Sequence, residues 1–407
     1  MIARLNGVIQ PYAWGSATMI PQLLGVEPSG EPQAELWLGA HPLAPSTIDH
    51  RPLDELLAKD PRGLIGDASV QAFGPRLPFL VKVIAADRPL SLQAHPSREQ
   101  AELGFAREQA AGIPRDAANR IYRDGWPKPE VLCALVQTEA LCGFREPAES
   151  YALFEGLGVD SAVRLVADLA SADLAPEQRL ASVFERLLRL TGDPEGVVSE
   201  VVRAADGVLA DGESGLFART ACELGHFYPG DPGVLAALLM NRIELHANDA
   251  IFLPAGNLHA YLRGGGVEVM ANSDNVMRGG LTPKHIDVDE LLSVLDFTPG
   301  FAGLIQPVEE TPGLWHYPVP APEFALWRID SADTPIPLPA TDSARILLVT
   351  EGSLSLDSGN AVLGLVRGES AWISASETCT VRCSGIAFVG APGTSETHGQ
   401  RLRARLR

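Results

Sequence analysis

The sequence predicts a mainly β protein interrupted by an all-helical insertion. Three observations carry that expectation. Short runs rich in apolar and β-branched residues mark the first part of the chain, at 2–9, 35–39, 77–84 and 131–136. Between 147 and 224 the pattern changes to a 3.6-residue period, as in Val163, Leu165, Val166 and Leu169, and again in Leu180, Val183, Phe184, Leu187, Leu188 and Leu190. Strand-like runs return at 243–253 and recur at 345–349, 352–356 and 371–374. The expected organisation is a β domain made of 1–146 and 227–300, a helical domain at 147–226, and a last β block at 301–407.

Composition narrows the function classes. The 407 residues suffice for roughly two or three domains. A formal net charge of −19 repels nucleic acid and anionic membrane, so neither is an expected partner. A phosphorylated small molecule stays compatible, because a local cationic pocket can work against the global sign. Five scattered cysteines, Cys133, Cys142, Cys222, Cys379 and Cys383, fit free thiols in a reducing compartment better than a disulfide framework. Residues 1–15 lack a basic-then-apolar signal and no run of about eighteen apolar residues occurs, so a cytoplasmic protein is expected. Only four of the 32 basic residues are lysines, Lys59, Lys82, Lys128 and Lys284. A lysine kept where arginine is the habit points to a compact or titratable charge.

Taken in order, 2–9 reads as a strand and 17–24 as a short helix. Tyr12-Ala13-Trp14-Gly15 is an aromatic turn, and Glu35-Leu36-Trp37-Leu38-Gly39 is a second strand ending in Ala40-His41-Pro42. His41 is expected to cap or pack there. The buried run 77–84 leads to Ser91-Leu92-Gln93-Ala94-His95-Pro96. Read as a strand, this segment turns Ser91, Gln93 and His95 to one face. Three polar side chains on a buried strand must be satisfied, by a metal, by a ligand or by ordinary hydrogen bonds in the core. Residues 97–119 read as a polar helix. Lys128-Pro129-Glu130 then opens the buried strand 131–136, and a carboxylate at that mouth must be paired, metal-bound or solvated.

The helical stretch holds roughly five helices, with a break at Asp173 and a start at Ala175-Pro176-Glu177. It contains no chemistry-bearing cluster and is expected to cover one end of the β domain. Past 243, Pro254 and Gly256 form a tight turn, after which His259 starts a strand with Tyr261 on its face. Val267-Glu268-Val269-Met270 follows. The run from Asn272 to Lys284 is dense in hydrogen-bonding groups and glycine, as an active-site loop would be. In the last block, 368–375 echoes 248–255, but no histidine occurs between His316 and His398. That block is expected to lack a metal site.

The spacing Pro254-x-Gly256-x-x-His259 after an apolar strand, with Gln93-x-His95 far upstream, resembles the cupin pattern. The resemblance extends over nearly the whole chain to the type I mannose-6-phosphate isomerase (phosphomannose isomerase) family. It is carried by Tyr12-Ala13-Trp14-Gly15, Glu35-Leu36-Trp37-Leu38-Gly39, residues 91–96, Lys128-Pro129-Glu130, His259-Ala260-Tyr261 and residues 273–284. It implies a cupin (antiparallel β-barrel or jelly-roll) catalytic domain, an all-α domain and a second cupin-like β domain. It also implies one zinc ion held by Gln93, His95, Glu130 and His259, a borderline-hard ligand set with a position left open. The implied reaction interconverts mannose 6-phosphate and fructose 6-phosphate, in a monomer acting on a small sugar phosphate. One departure matters: the family commonly has histidine directly before the lysine-proline-glutamate triplet, and this chain has Pro127.

An aldose–ketose isomerisation needs electrophilic help at the carbonyl or enediolate oxygen, which zinc or Arg278 would supply. It needs a base to move a proton between C2 and C1, for which Glu268 and Lys128 are the candidates. It needs a cationic seat for phosphate, assigned to Lys82, Ser91 and Lys284 with Arg278 as the alternative. Tyr261 and Asp274 are expected to contact the sugar. Two other readings compete. One is a non-catalytic sugar-binding cupin, or a related metalloenzyme acting on another sugar phosphate. The other is an iron-dependent cupin dioxygenase, against which Gln93 counts, because such sites prefer more histidines.

Overall fold

The computed structural model describes residues 1–208, 211–301, 303–339 and 342–393. His398 and the end of the expected last block lie outside them. The architecture is two large antiparallel sheets with a block of helices, as the alternation and its interruption predict.

The first sheet is organised by one long strand, His259–Ala271. Its second half pairs with Phe79–Ala86 and Glu130–Ala134, and its first half with Thr138–Phe144 and Gln93–Ala94. The change of partners falls at three consecutive glycines. Gly264 has φ +92°, and a Cβ on Gly265 would lie 1.9 Å from the Ile84 carbonyl oxygen, so no side chain fits where the strand bends. The bend lets one strand contribute to two walls, and side chains from both walls meet inside them. Tyr261 from the first half donates to Glu268 from the second at 2.9 Å.

Alternation then sorts each strand into an inner and an outer face. On one wall the outer residues Val81, Val83, Val131 and Val267 pack into a core with Leu326, Ile346, Trp372 and Phe388 of the second sheet. On the other wall, Leu92, Ala94, Leu141, Ala260 and Met277 pack against Val183, Phe184, Val198 and Phe217 of the helices. The helical insertion and the C-terminal sheet thus cover the backs of the two walls. The inner faces are left to carry polar groups.

The helices run from Pro147–Gly156 to Gly233–Ala237, and three of them begin with proline at the first turn, at Pro147, Pro176 and Pro194. Asp193 caps the last of these by accepting the Gly196 N–H at 2.9 Å. Among the described residues no helix is long and apolar enough to cross a membrane.

The structure departs from the sequence reading at several places, and the helix expected over 97–119 ends at Ala110. The expected strand 2–9 is two strands in different sheets: Ile2–Leu5 pairs with Ser370–Ile373, and Val8–Gln10 with Glu35–Leu38. The first strand therefore belongs with the C-terminal block rather than with the expected domain 1–146. The runs 345–349 and 352–356 are one strand, Arg345–Asp357, that continues through Gly352. The expected strand around His95 is only Gln93–Ala94, because prolines at 89 and 96 bracket it.

Candidate metal centre

The short strand Gln93–Ala94 is pinned by main-chain bonds on both sides. Leu90 N–H donates to the Tyr261 carbonyl at 2.8 Å, and Leu92 exchanges bonds with Gly279 and Gly280 at 2.9 and 3.2 Å. In register, Gln93 lies opposite His259 on one side and Arg278 on the other. Directly paired residues share a face, so His259, Gln93 and Arg278 form one inward row. Glu130 comes from the other wall, at the start of its strand, opposite Met270.

Three of these side chains converge. His95 Nε2 lies 3.4 Å from Glu130 Oε1, and His259 Nε2 lies 3.4 Å from Glu130 Oε2. Each imidazole is oriented through its other nitrogen, His95 Nδ1 by the Asn275 carbonyl at 2.8 Å and His259 Nδ1 by the Asn257 carbonyl at 3.1 Å. Those bonds place the protons on Nδ1 and leave the Nε2 lone pairs aimed at the carboxylate. Both Nε2 atoms are buried and make no hydrogen bond among the described residues. Two bare imidazole nitrogens beside a carboxylate are an expensive arrangement with nothing between them. Separations of 3.4 Å suit donors bound at about 2.1 Å to one tetrahedral ion. The residues present fit a metal of the zinc type, and Gln93 lies opposite His259 in register.

A second layer lies directly beneath. Lys82 is opposite Glu268 and Trp37 in register, with Nζ 3.6 Å from Glu268 Oε2 and 3.7 Å from Glu35 Oε2. Lys128 Nζ lies 3.3 Å from Glu130 Oε1. The Glu35, Glu130, Glu268, Lys82 and Lys128 side chains are all buried. Three carboxyls against two ammonium groups leave one negative charge uncompensated, which a bound cation or a proton must balance.

The electrostatics follow from that layering. Burial pulls His95 down to about 4, so it is the neutral, ligating imidazole near pH 7. Burial pushes Glu130 up, but His95, Lys128 and His259 outweigh it and hold the carboxyl well below the usual range. Lys128 Nζ, 3.3 Å from Glu130 Oε1, is part of that pull. Burial and then the field of Glu130 push Glu268 up to about 8, against the pull of Lys82. Burial opposes the charge on Lys82, yet Glu35 and Glu268 outweigh it and raise its pKa. Tyr261 is raised well above the phenol range by burial and then by Glu268, so its hydroxyl stays a donor.

At the rim, Asp274 is held 3.3 Å from His41 Nε2, whose Nδ1 accepts the Leu43 N–H. His41 therefore orients a site carboxylate, beyond the capping or packing expected of it. Arg278, Lys284 and Arg123 have no carboxylate partner among the described residues. Burial lowers both Arg278 and Lys284, and repulsion from Arg123 lowers each further. Cations without an ion pair at the edge of a buried site attract anions.

The structure thus brings Gln93, His95, Glu130, His259 and Lys128 together, with Glu268 and Tyr261 beneath and Asp274, Arg278 and Lys284 above. Ser91 is half-buried, two residues before Gln93 on the same segment. Lys82 corrects one expectation: closed between two carboxylates, it has no free charge to offer a phosphate. Sequence reasoning missed Glu35, Asn275 and Arg123. Glu35 had a usable signal, a carboxylate alternating with Trp37 on an otherwise apolar strand. Arg123 sits in a loop with no motif.

The phosphomannose isomerase type I catalytic-domain family model matches residues 2–147. The mannose-6-phosphate isomerase of Escherichia coli (strain K12) is 39% identical over 384 residues, covering 92% of this chain and 95% of that protein. The Homo sapiens mannose-6-phosphate isomerase is 32% identical over 413 residues, covering 93% and 94%. Among solved structures, zinc-bound holo mannose 6-phosphate isomerase aligns with TM-score 0.87 at 35% identity, covering 96% of this chain and 99% of that one. The apo form from Salmonella typhimurium gives the same TM-score of 0.87 at 36% identity.

Proposed function

The chain belongs to the mannose-6-phosphate isomerase family of enzymes, and we propose that it interconverts D-mannose 6-phosphate and D-fructose 6-phosphate through an enediol(ate) intermediate, with one zinc ion per chain. The observation that carries this reading is the pair of orphaned, buried Nε2 atoms of His95 and His259 facing the two oxygens of Glu130. Gln93, His95, Glu130 and His259 are the residues that hold the ion. When bound, zinc supplies Lewis-acid polarisation of the substrate oxygens at C1 and C2.

The remaining work falls to the chain's own side chains. Lys284 and Arg123 seat the phosphate, and Ser91 adds a hydroxyl on the same side. Asp274, oriented by His41, holds a sugar hydroxyl. Lys128 acts as the free amine, its own proton lost to solvent, taking the C2 proton and returning it to C1, a transfer that needs no redox partner because the two carbons exchange oxidation level. Arg278, in the row with Gln93, stabilises the oxygen on which negative charge grows. Glu268, bonded by the Tyr261 hydroxyl, is the second proton-handling group. With proline at 127, no histidine beside Lys128 shares this task.

Both β blocks are read as cupin barrels, the second without a metal site, and the helical block at 147–226 as a cover. The protein is placed in the cytoplasm as a monomer. The test is direct: protein stripped with chelator should not form D-fructose 6-phosphate from D-mannose 6-phosphate, and zinc should restore it. Absence of turnover in the zinc-replete protein overturns the reading.

A further inference from the structure

Regular structure does not hold the Lys128 arm of the site. Residues 121–129 form neither helix nor strand. Lys128 stands between Pro127 and Pro129, neither of which has an N–H to anchor the chain. One fully buried side chain holds the approach to it. Asn275 Oδ1 accepts the N–H groups of Arg123 and Asp124 at 2.8 and 3.3 Å, and Nδ2 donates to the carbonyls of Asp124 and Trp126 at 2.8 and 2.9 Å. Asp124 interlocks from the other side. Its carboxylate accepts Ser273 Oγ at 2.8 Å, Asp274 N–H at 3.0 Å and Trp126 N–H at 2.9 Å. The Trp126 ring is then gripped by Arg76 and Arg98, whose guanidinium carbons lie 4.5 and 3.9 Å from its centroid. The carbonyl of the same Asn275 orients His95 at 2.8 Å.

We propose that Asn275 is a positioning residue that couples the metal ligand His95 to the Lys128 arm, with Asp124 as its interlocking partner. The inference rests on the isomerase reading of the site. An amide suits this place because its two N–H donors and two acceptor lone pairs all meet main-chain groups. An aspartate there would lose both donors, and an apolar residue would take the partner from four main-chain groups. Since the imidazole and the loop are tied through one residue, displacement of either is transmitted to the other. Proton transfer tolerates little misplacement, so a loosened arm costs rate while substrate binding at the cationic rim survives.

The test uses the full chain, zinc-loaded and carrying 13C at lysine Cε, as wild type, Asn275→Ala, Asp124→Asn and the double variant. With only four lysines present, Lys128 gives one signal of four, identified by its loss in Lys128→Met. In each variant the Lys128 signal should move or broaden while that of Lys59 stays. In chelator competition, zinc should leave about tenfold faster. The kcat should fall at least about tenfold with KM within about threefold, and the double variant should be no worse than the worse single one. An unmoved Lys128 signal in Asn275→Ala, or additive losses in the double variant, overturns the proposal. The lysine signal and zinc release need no turnover, so a wild type that does not isomerise defeats the functional reading while these readouts still decide the coupling. If Asn275→Ala does not fold, Asp124→Asn decides by the same criteria.

Discussion

Lys82 and Glu268 face each other on neighbouring strands, with Nζ 3.6 Å from Oε2 and both side chains buried beneath the metal ligands. The pair is part of a group with one carboxyl too many, and Glu268, pushed up to about 8, carries the balancing proton at pH 7 when no metal is bound. A cation beside Glu130 cancels the field that raises Glu268 and takes over that balance. Zinc binding at pH 7 should therefore release close to one proton per ion, about the count that this excess charge requires. Calorimetric titration in buffers of different ionisation enthalpy reads the number. Glu268→Gln should abolish it, and an unchanged count would sever the link.

In the metal-free protein His95 and Glu268 should make opposing contributions to stability in acid. His95 is pulled from its ordinary 6.5 to about 4 by burial. A depressed folded-state pKa stabilises above the unfolded value, and that contribution is lost as pH falls from 6.5 through about 4. The His95 share of that loss is about 3 kcal/mol. Glu268, raised to about 8, stabilises the fold as pH falls over the same window, so urea unfolding at its two ends should show the His95 loss uncovered in Glu268→Gln. Glu130, depressed as well, acts in the same direction as His95, so His95→Gln should remove only part of the slope.

Glu130→Ala removes the carboxylate shared by the two imidazoles and strands the Lys128 charge. The variant should bind no stoichiometric zinc and lose activity on the order of a thousandfold. Metal analysis of the purified variant is decisive, since retention of one zinc would exclude Glu130 as a ligand.

Lys128→Met keeps the length of the side chain without its amine. Zinc content should match wild type while kcat falls about a hundredfold or more. Normal turnover would pass the proton transfer to Glu268.

Lys284→Ala and Arg123→Ala should act on binding. Each removes one unpaired cation from the rim, so KM for the sugar phosphate should rise about tenfold with little change in kcat. Inorganic phosphate should compete more weakly against both variants than against wild type. Unchanged KM in both would place the phosphate elsewhere.

Much of this site was readable from short-range pattern. Alternation alone put Gln93 and His95 on one face and His259 with Tyr261 on another, and an acidic residue opening an apolar strand marked Glu130. Patterns of this kind report which way a side chain leaves its own strand. They do not say which other strand lies opposite, so Lys82 was placed with the phosphate although its register sets it against Glu268 and Trp37. Arg123 and Asn275 had no periodic context, and their roles come from contacts about 150 positions apart in the chain, such as that between Arg123 and Asn275 itself.

What the sequence by itself determined is local: the β character of both blocks, the helical span between them, the proline-led helix starts, and the polar residues that must turn inward. Those follow from periodicity and turn chemistry, which act within a few residues. Only the tertiary structure decided that Ile2–Leu5 joins the far sheet and that the glycine bend at Gly264 brings two walls together. It also decided which ammonium neutralises which carboxylate. Coulomb energy in a buried site depends on distances of a few ångströms, and those are set by strand register across hundreds of residues rather than by any one segment.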